Sequence, residues 1–245
     1  MKHAILASIF AVAATPALAE DVSYEVDGEA FNGYFAAAQD PQGLVLIVHD
    51  WDGLTDYERQ RADMLAEMGY DAFALDMFGE GTPTETVEHR QAATGALYQD
   101  RERMRSLIQA GIGEARSHSD AEGMVVAGYC FGGAVALEMA RGENAGEAAG
   151  YATFHGGLST PEGQSWSGDV PPLLIMHGGA DTSVTMEDVS ALWNELEAAG
   201  ATYTFEIYAG APHAFTVMDS DRYQERADTE SWEAFSDFLA ERLEG

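Results

Sequence analysis

The chain has 245 residues, 46% hydrophobic and 10% aromatic, which suits a folded globular protein and excludes a disordered or fibrous one. Acidic residues outnumber basic ones 42 to 12, a net charge of −30 that repels nucleic acid and anionic membranes and reads as a solubility device for a salty environment. One cysteine is present, so no disulfide can form within the chain.

Taken in chain order, Met1-Lys2-His3 is a short cationic start, Ala4–Ala14 an apolar run, and Ala17-Leu18-Ala19 an A-x-A site before Glu20-Asp21. This is the pattern of a cleavable secretory leader over residues 1–19. It leaves 20–245 as a single domain and points to a bacterial periplasm. The apolar run is shorter than the about 20 residues a membrane span needs, and no later run reaches that length. Val22–Val26 and Phe31–Ala36 read as a hairpin with Asp27-Gly28 at its turn. Leu44–Val48 reads as a buried strand. Thr55–Met68 reads as an amphipathic helix, opened by a Thr55/Glu58 capping box and closed by Gly69. Tyr70–Leu75 is the next strand, and Asp76–Pro83 a loop that walls a cleft. Thr84–His118 is helical in composition, with Gly95, Gly111 and Gly113 suggesting two helices or a break.

Met124-Val125-Val126-Ala127 then leads into Gly128-Tyr129-Cys130-Phe131-Gly132, and an Ala-rich helix follows. Strand, tight turn and helix are the context of a nucleophile elbow, here with sulfur in place of the usual serine oxygen. The elbow sets Cys130 at a helix N-terminus, where the dipole favours a thiolate. Tyr151–Phe154 and Leu173–His177 are further strands. Asp181 lies just past the second, in His177-Gly178-Gly179-Ala180-Asp181. Glu187–Ala199 is a helix ended by Gly200. His213 follows the strand Tyr203–Tyr208, in Gly210-Ala211-Pro212-His213-Ala214-Phe215, and Ser220–Leu243 is a closing helix.

Nucleophile, acid and histidine in that order define a candidate triad. His213 would take the Cys130 proton and return it to the leaving group. Asp181 would hold the imidazole tautomer. One oxyanion donor is the Phe131 N–H, and the other is expected in His49-Asp50-Trp51-Asp52-Gly53, at the Trp51 N–H. The expected fold is α/β, an α/β-hydrolase with a mostly parallel central sheet flanked by helices on both faces.

These residues resemble the dienelactone hydrolase family. The resemblance rests on Gly-Tyr-Cys-Phe-Gly-Gly at 128–133, Gly-Gly-Ala-Asp at 178–181 and Gly-Ala-Pro-His-Ala-Phe at 210–215. Phe-His-Gly-Gly at 154–157 and Gly69–Asp76 add to it, and it runs from about residue 22 to the C-terminus. It implies a Cys-His-Asp triad, no metal or cofactor, and hydrolysis of a small-molecule ester or lactone. It also implies a carboxylate near the resting thiol, at Asp50, one methylene shorter than the glutamate of the founding enzymes. The two arginines that hold a substrate carboxylate in those enzymes fall at Gln91 and Val217, so the reaction class carries over and the carboxylate clamp does not. Arg90 and Arg222 lie nearby and read as surface arginines. His49 with Asp50 and Asp52 lacks the ligand spacing of a metal site. His155 and His177 read as structural histidines. No nucleotide fingerprint is present. A monomer is expected. Amide hydrolysis or acyl transfer at the same site, a ligand-binding homologue without catalysis, and a thiol redox sensor remain open on sequence.

Overall fold

The computed structural model describes residues 18–244. The leader-like segment lies outside them except for Leu18 and Ala19, which pair with Ala37 and Ala36 at the start of the first strand. The sheet has eight strands: β1 (Leu18–Val26), β2 (Glu29–Ala37), β3 (Leu44–Val48), β4 (Asp71–Leu75), β5 (Met124–Tyr129), β6 (Gly150–Phe154), β7 (Leu173–Gly178) and β8 (Tyr203–Tyr208). Their order is β1-β2-β4-β3-β5-β6-β7-β8. Strands β1 and β2 join antiparallel, and every pairing from β4 to β8 is parallel.

The helices are α1 (Asp56–Glu67), α2 (Val87–Gln99), α3 (Arg101–His118), α4 (Phe131–Arg141), α5 (Met186–Ala199) and α6 (Glu225–Leu243). Strands β3–β7 are apolar along nearly their whole length because both sheet faces are covered, as a parallel sheet requires. Alternate residues then part company. Leu44, Leu46, Val48, Val126 and Ile175 pack under α2–α5, while Val45, Ile47, Val125, Ala127 and Met176 pack under α1 and α6. Among the described residues no helix is long and apolar enough to cross a membrane.

Several boundaries differ from the sequence reading, among them β1 from Leu18, β2 over Glu29–Ala37 and α2 from Val87. The helical stretch 84–118 breaks at Asp100, not at a glycine. Asp100 ends α2 with non-helical torsions, and its carboxylate accepts from Arg103 N–H to start α3. Gly111 lies within α3 and packs on the sheet where a side chain would run into Leu75. The closing helix starts at Glu225; residues 217–223 form turns, with Asp219 at φ +64°. Tyr70 lies just before β4 and not within it.

The sequence turns back on itself at β3. The chain goes to β4 on one side of it and then to β5 on the other, so the loops after β3 and β5 diverge and leave a crevice. Val48 pairs with Gly128, which brings the loop 49–53 beside the elbow. The ends of β6, β7 and β8 line up beyond it.

Candidate active site

The elbow is built by main-chain crowding. Cys130 adopts φ +50°, ψ −109°, a region L-residues rarely occupy and one that stores about 1–3 kcal/mol of strain. Two glycines make it feasible. A side chain on Gly128 would strike the Gly132 carbonyl, and one on Gly132 would strike the Val48 and His49 carbonyls. Cys130 N–H donates to the Phe154 carbonyl (3.0 Å), and its own carbonyl accepts from Gly133 and Gly157 N–H.

His213 and Asp181 reach this thiol. His213 Nε2 lies 3.0 Å from Cys130 Sγ, and His213 Nδ1 lies 2.7 Å from Asp181 Oδ2. Burial alone would raise the Asp181 carboxyl, but hydrogen bonds from His213 and from the Val184 and Ser183 N–H groups hold it below its ordinary range. Asp181 is therefore a charged acceptor. Nδ1 carries the imidazole proton, and Nε2 faces sulfur with its lone pair.

The thiol's charge state, open on sequence, is decided by burial. The Phe131 N–H does favour a thiolate, but burial outweighs it, and the charge of Asp50 adds in the same direction. The thiol is pushed far above its ordinary range and rests protonated. Asp50 is itself raised well above the carboxylate range, by burial first and then by Asp52 and Glu58. Its Oδ1 accepts from Asp52 N–H (3.3 Å), and it makes no hydrogen bond to Cys130.

Asp50, Asp52 and Gly53 of the β3 loop each spend their N–H inside the protein. Asp50 N–H donates to Glu58 Oε1, Asp52 N–H to Asp50 Oδ1 and Gly53 N–H to the Asp50 carbonyl. Trp51 N–H has no such partner among the described residues, which leaves it free beside the elbow. Glu58, fully buried, holds the loop in this form. Besides Asp50 N–H it accepts from Thr55 N–H (2.9 Å) and Thr55 Oγ1–H (2.8 Å). His49 Nε2 accepts from Met77 N–H, and its Nδ1 bonds the Asp50 carbonyl, so both nitrogens are committed to the loops. Arg90 is no free surface arginine. It packs over the Trp51 ring at 5.5 Å, lies 3.9 Å from Asp52, and donates to the Thr84 carbonyl. Gln91 and Arg222 are exposed, and Val217 is half-buried.

Behind His213 stands a buried relay with little signature in the sequence. His155, at φ +42°, sets its ring edge-on to His213 at 5.3 Å, and its Nε2 bonds Thr216 Oγ1 (2.8 Å). Thr216 also bonds the Tyr57 hydroxyl (2.7 Å), and its carbonyl accepts from Arg61, which is ion-paired with Asp228. Burial, followed by the His213 charge, holds His155 well below its ordinary range, so it is a neutral wall. His177 Nε2 donates to the Val184 carbonyl (3.0 Å), a structural role. Phe78 and Tyr98 flank Phe131 beside the elbow, with ring centroids 5.4 Å (Phe78–Phe131) and 5.5 Å (Tyr98–Phe131) apart.

A strained elbow on the central strand of a parallel sheet, with acid and histidine loops at the ends of later strands, defines an α/β-hydrolase. The dienelactone hydrolase family model matches residues 31–243, and the chain belongs to that family. It is 28% identical over 239 residues to a carboxymethylenebutenolidase of Pseudomonas putida, covering 91% of this chain and 97% of that one. Among solved structures, a dienelactone hydrolase-like promiscuous phosphotriesterase from metagenomic libraries superposes with TM-score 0.84 at 26% identity, over 94% of this chain and all of that one. A thermophilic esterase from Thermogutta terrifontis shares the fold at TM-score 0.64 and 19% identity, over 91% and 92% of the two chains. The chain is an ester hydrolase of the dienelactone hydrolase family.

Proposed function

We propose that this chain is an exported, cysteine-dependent hydrolase that cleaves ester or lactone bonds of small molecules. The observation that carries the reading is the unbroken line from Asp181 through His213 to Cys130, at 2.7 and 3.0 Å, on a strained elbow.

The thiol starts neutral. As sulfur attacks the carbonyl carbon, His213 Nε2 takes the thiol proton, and Asp181 stabilises the imidazolium. The carbonyl oxygen gathers negative charge and is met by the N–H groups of Phe131 and Trp51. Collapse of the tetrahedral adduct returns the proton from Nε2 to the leaving oxygen and leaves a thioester on Cys130. Water, deprotonated by His213, then attacks the thioester, and the sulfur departs with the proton. His155 is neutral and cannot compete as a cation for Asp181, which reserves that carboxylate for His213.

A redox-sensing role is disfavoured by the same chemistry. Sensor thiols are acidic, whereas the Cys130 thiol is pushed up, although it is only half-buried. Cys130→Ala should lower turnover of p-nitrophenyl esters and simple lactones by at least about 10⁴-fold with an unchanged melting temperature. An alanine variant that still turns over would overturn the reading. Export rests on the leader-like residues 1–19 and predicts a mature N-terminus at Glu20, read by N-terminal sequencing of the periplasmic protein.

A further inference from the structure

We propose that Tyr98 is a specificity residue whose hydroxyl donates a hydrogen bond to an uncharged oxygen on the acyl part of the substrate. The preferred substrates are then esters or lactones carrying a carbonyl or ether oxygen a few bonds from the scissile group. This inference rests on the hydrolase reading above.

Four observations lead to it. The first is place. Tyr98 is on the last turn of α2, with its ring edge-on to Phe131 at 5.5 Å. A side chain on Gly157 would meet the Tyr98 hydroxyl at 3.8 Å, and Gly157 N–H donates to the Cys130 carbonyl. The hydroxyl therefore stands over the elbow itself. His213 serves the leaving-group side and the Trp51 and Phe131 N–H groups serve the oxyanion, so the wall from α2 faces the acyl chain.

The second is availability. Among the described residues the Tyr98 hydroxyl has no hydrogen-bond partner, and the residue is 38% exposed, so the hydroxyl is open to an incoming molecule. Tyr57 and Thr216, by contrast, are committed, Tyr57 to Thr216 and Thr216 to His155, and the Thr153 hydroxyl is buried behind the elbow against Gly133 and Gly156.

The third is proton state and rigidity. Burial pushes the phenol up to about 12, and any thiolate on Cys130 would add in the same direction, so it remains a donor throughout the cycle. The ring is held from both sides, by Phe131 and by the Arg101 guanidinium 4.9 Å from its centroid. Arg101 is in turn fixed by Glu138 (3.2 Å) and by the Tyr98 carbonyl (3.1 Å). A donor fixed in this way gives discrimination at low entropic cost.

The fourth is charge. Asp50, Asp52 and Asp181 surround the thiol closely enough to raise it. The cations nearby are spent: Arg101 on Glu138, Arg90 on Trp51 and Asp52. Gln91 and Val217 bring none. An uncharged acceptor suits this surrounding and a carboxylate does not.

The test compares the p-nitrophenyl esters of levulinate and pentanoate, which differ by one ketone oxygen in the acyl chain. Tyr98→Phe keeps the ring and its packing. The ratio of kcat/KM for levulinate over pentanoate should fall at least about tenfold in the variant. An unchanged ratio overturns the proposal, as does an equal loss on both esters, which would make the hydroxyl a general transition-state donor. Binding of the same two esters to Cys130→Ala and to Cys130→Ala/Tyr98→Phe, followed by calorimetry, asks the question without turnover. A levulinate preference that disappears with the hydroxyl supports the proposal even where the wild type hydrolyses neither ester, a result that would sink only the hydrolase reading.

Discussion

The two oxyanion donors sit side by side, yet they are held in place by different means. Phe131 N–H belongs to the elbow, where three backbone segments touch and no side chain is needed. Val48, Gly128 and Gly132 lock together through carbonyls and bare α-carbons. Trp51 N–H belongs to a loop whose shape is imposed by side chains: Glu58 from α1, His49 from the strand end, and Arg90 from α2. The first region is rigid by construction. The second is conditional, because each restraint is a polar group with its own charge state. Mutation should therefore break the elbow together with the fold, and should detune the loop while the fold survives.

The largest effect is expected at the elbow. Gly132→Ala pushes a methyl into the Val48 and His49 carbonyls, and neither can retreat without tearing the β3–β5 register. Overpacking against side chains costs about 1–3 kcal/mol, and backbone offers less relief, so the loss should exceed that range. Soluble yield and chemical denaturation measure it. A variant with native stability would show that the elbow is softer than its contacts imply.

Glu58→Gln should separate the two regions. The amide keeps the size and the helix-start position, but one carboxylate oxygen that accepts from Thr55 or Asp50 becomes a donor facing a donor. The stability loss should be about 1–3 kcal/mol. Turnover should suffer more, about 10²-fold in kcat, since an oxyanion donor about 1 Å out of place costs that much. KM should move little, because the donor acts on the transition state. Equal losses in stability and in kcat/KM across all substrates, with KM carrying the change, would argue that Glu58 serves only the helix.

The same division governs what could be read from sequence. The elbow was legible because its geometry is local: Gly128, Cys130 and Gly132 are neighbours in the chain, and only glycine fits the flanking positions. Asp181 and His213 were legible because each directly follows a strand. The thiol's charge state stayed open in the sequence, since a helix N-terminus is local while burial and the Asp50 charge come from tertiary packing. The break at Asp100 was missed because a capping carboxylate was outweighed by three more conspicuous glycines. Glu58 could be found as a cap partner, but its bond to Asp50 N–H depends on how α1 docks beside β3. Thr216 carried no signal at all; its place between Tyr57 and His155 exists only once the sheet has formed.

Asp50→Asn is the smallest of these changes and the one that addresses charge alone. The Asp50 carboxyl is raised in the folded protein, so the native state holds a proton that the unfolded chain gives up at ordinary carboxyl pH. Stability should therefore fall as pH rises from the ordinary carboxyl value toward the raised one. The asparagine variant should lose that slope. The thiol should respond in the opposite sense to what a general base would give. Removing a negative charge that raises Cys130 lowers the thiol toward its ordinary range, so iodoacetamide should label the variant faster than the wild type at the same alkaline pH. Slower labelling would mean that Asp50 helps take the thiol proton, and the loop would then belong to the chemistry as directly as the elbow does. Faster labelling with turnover reduced by less than about tenfold would leave Asp50 as a device that keeps the thiol neutral until a carbonyl arrives, a cost of about 1.4 kcal/mol per factor of ten.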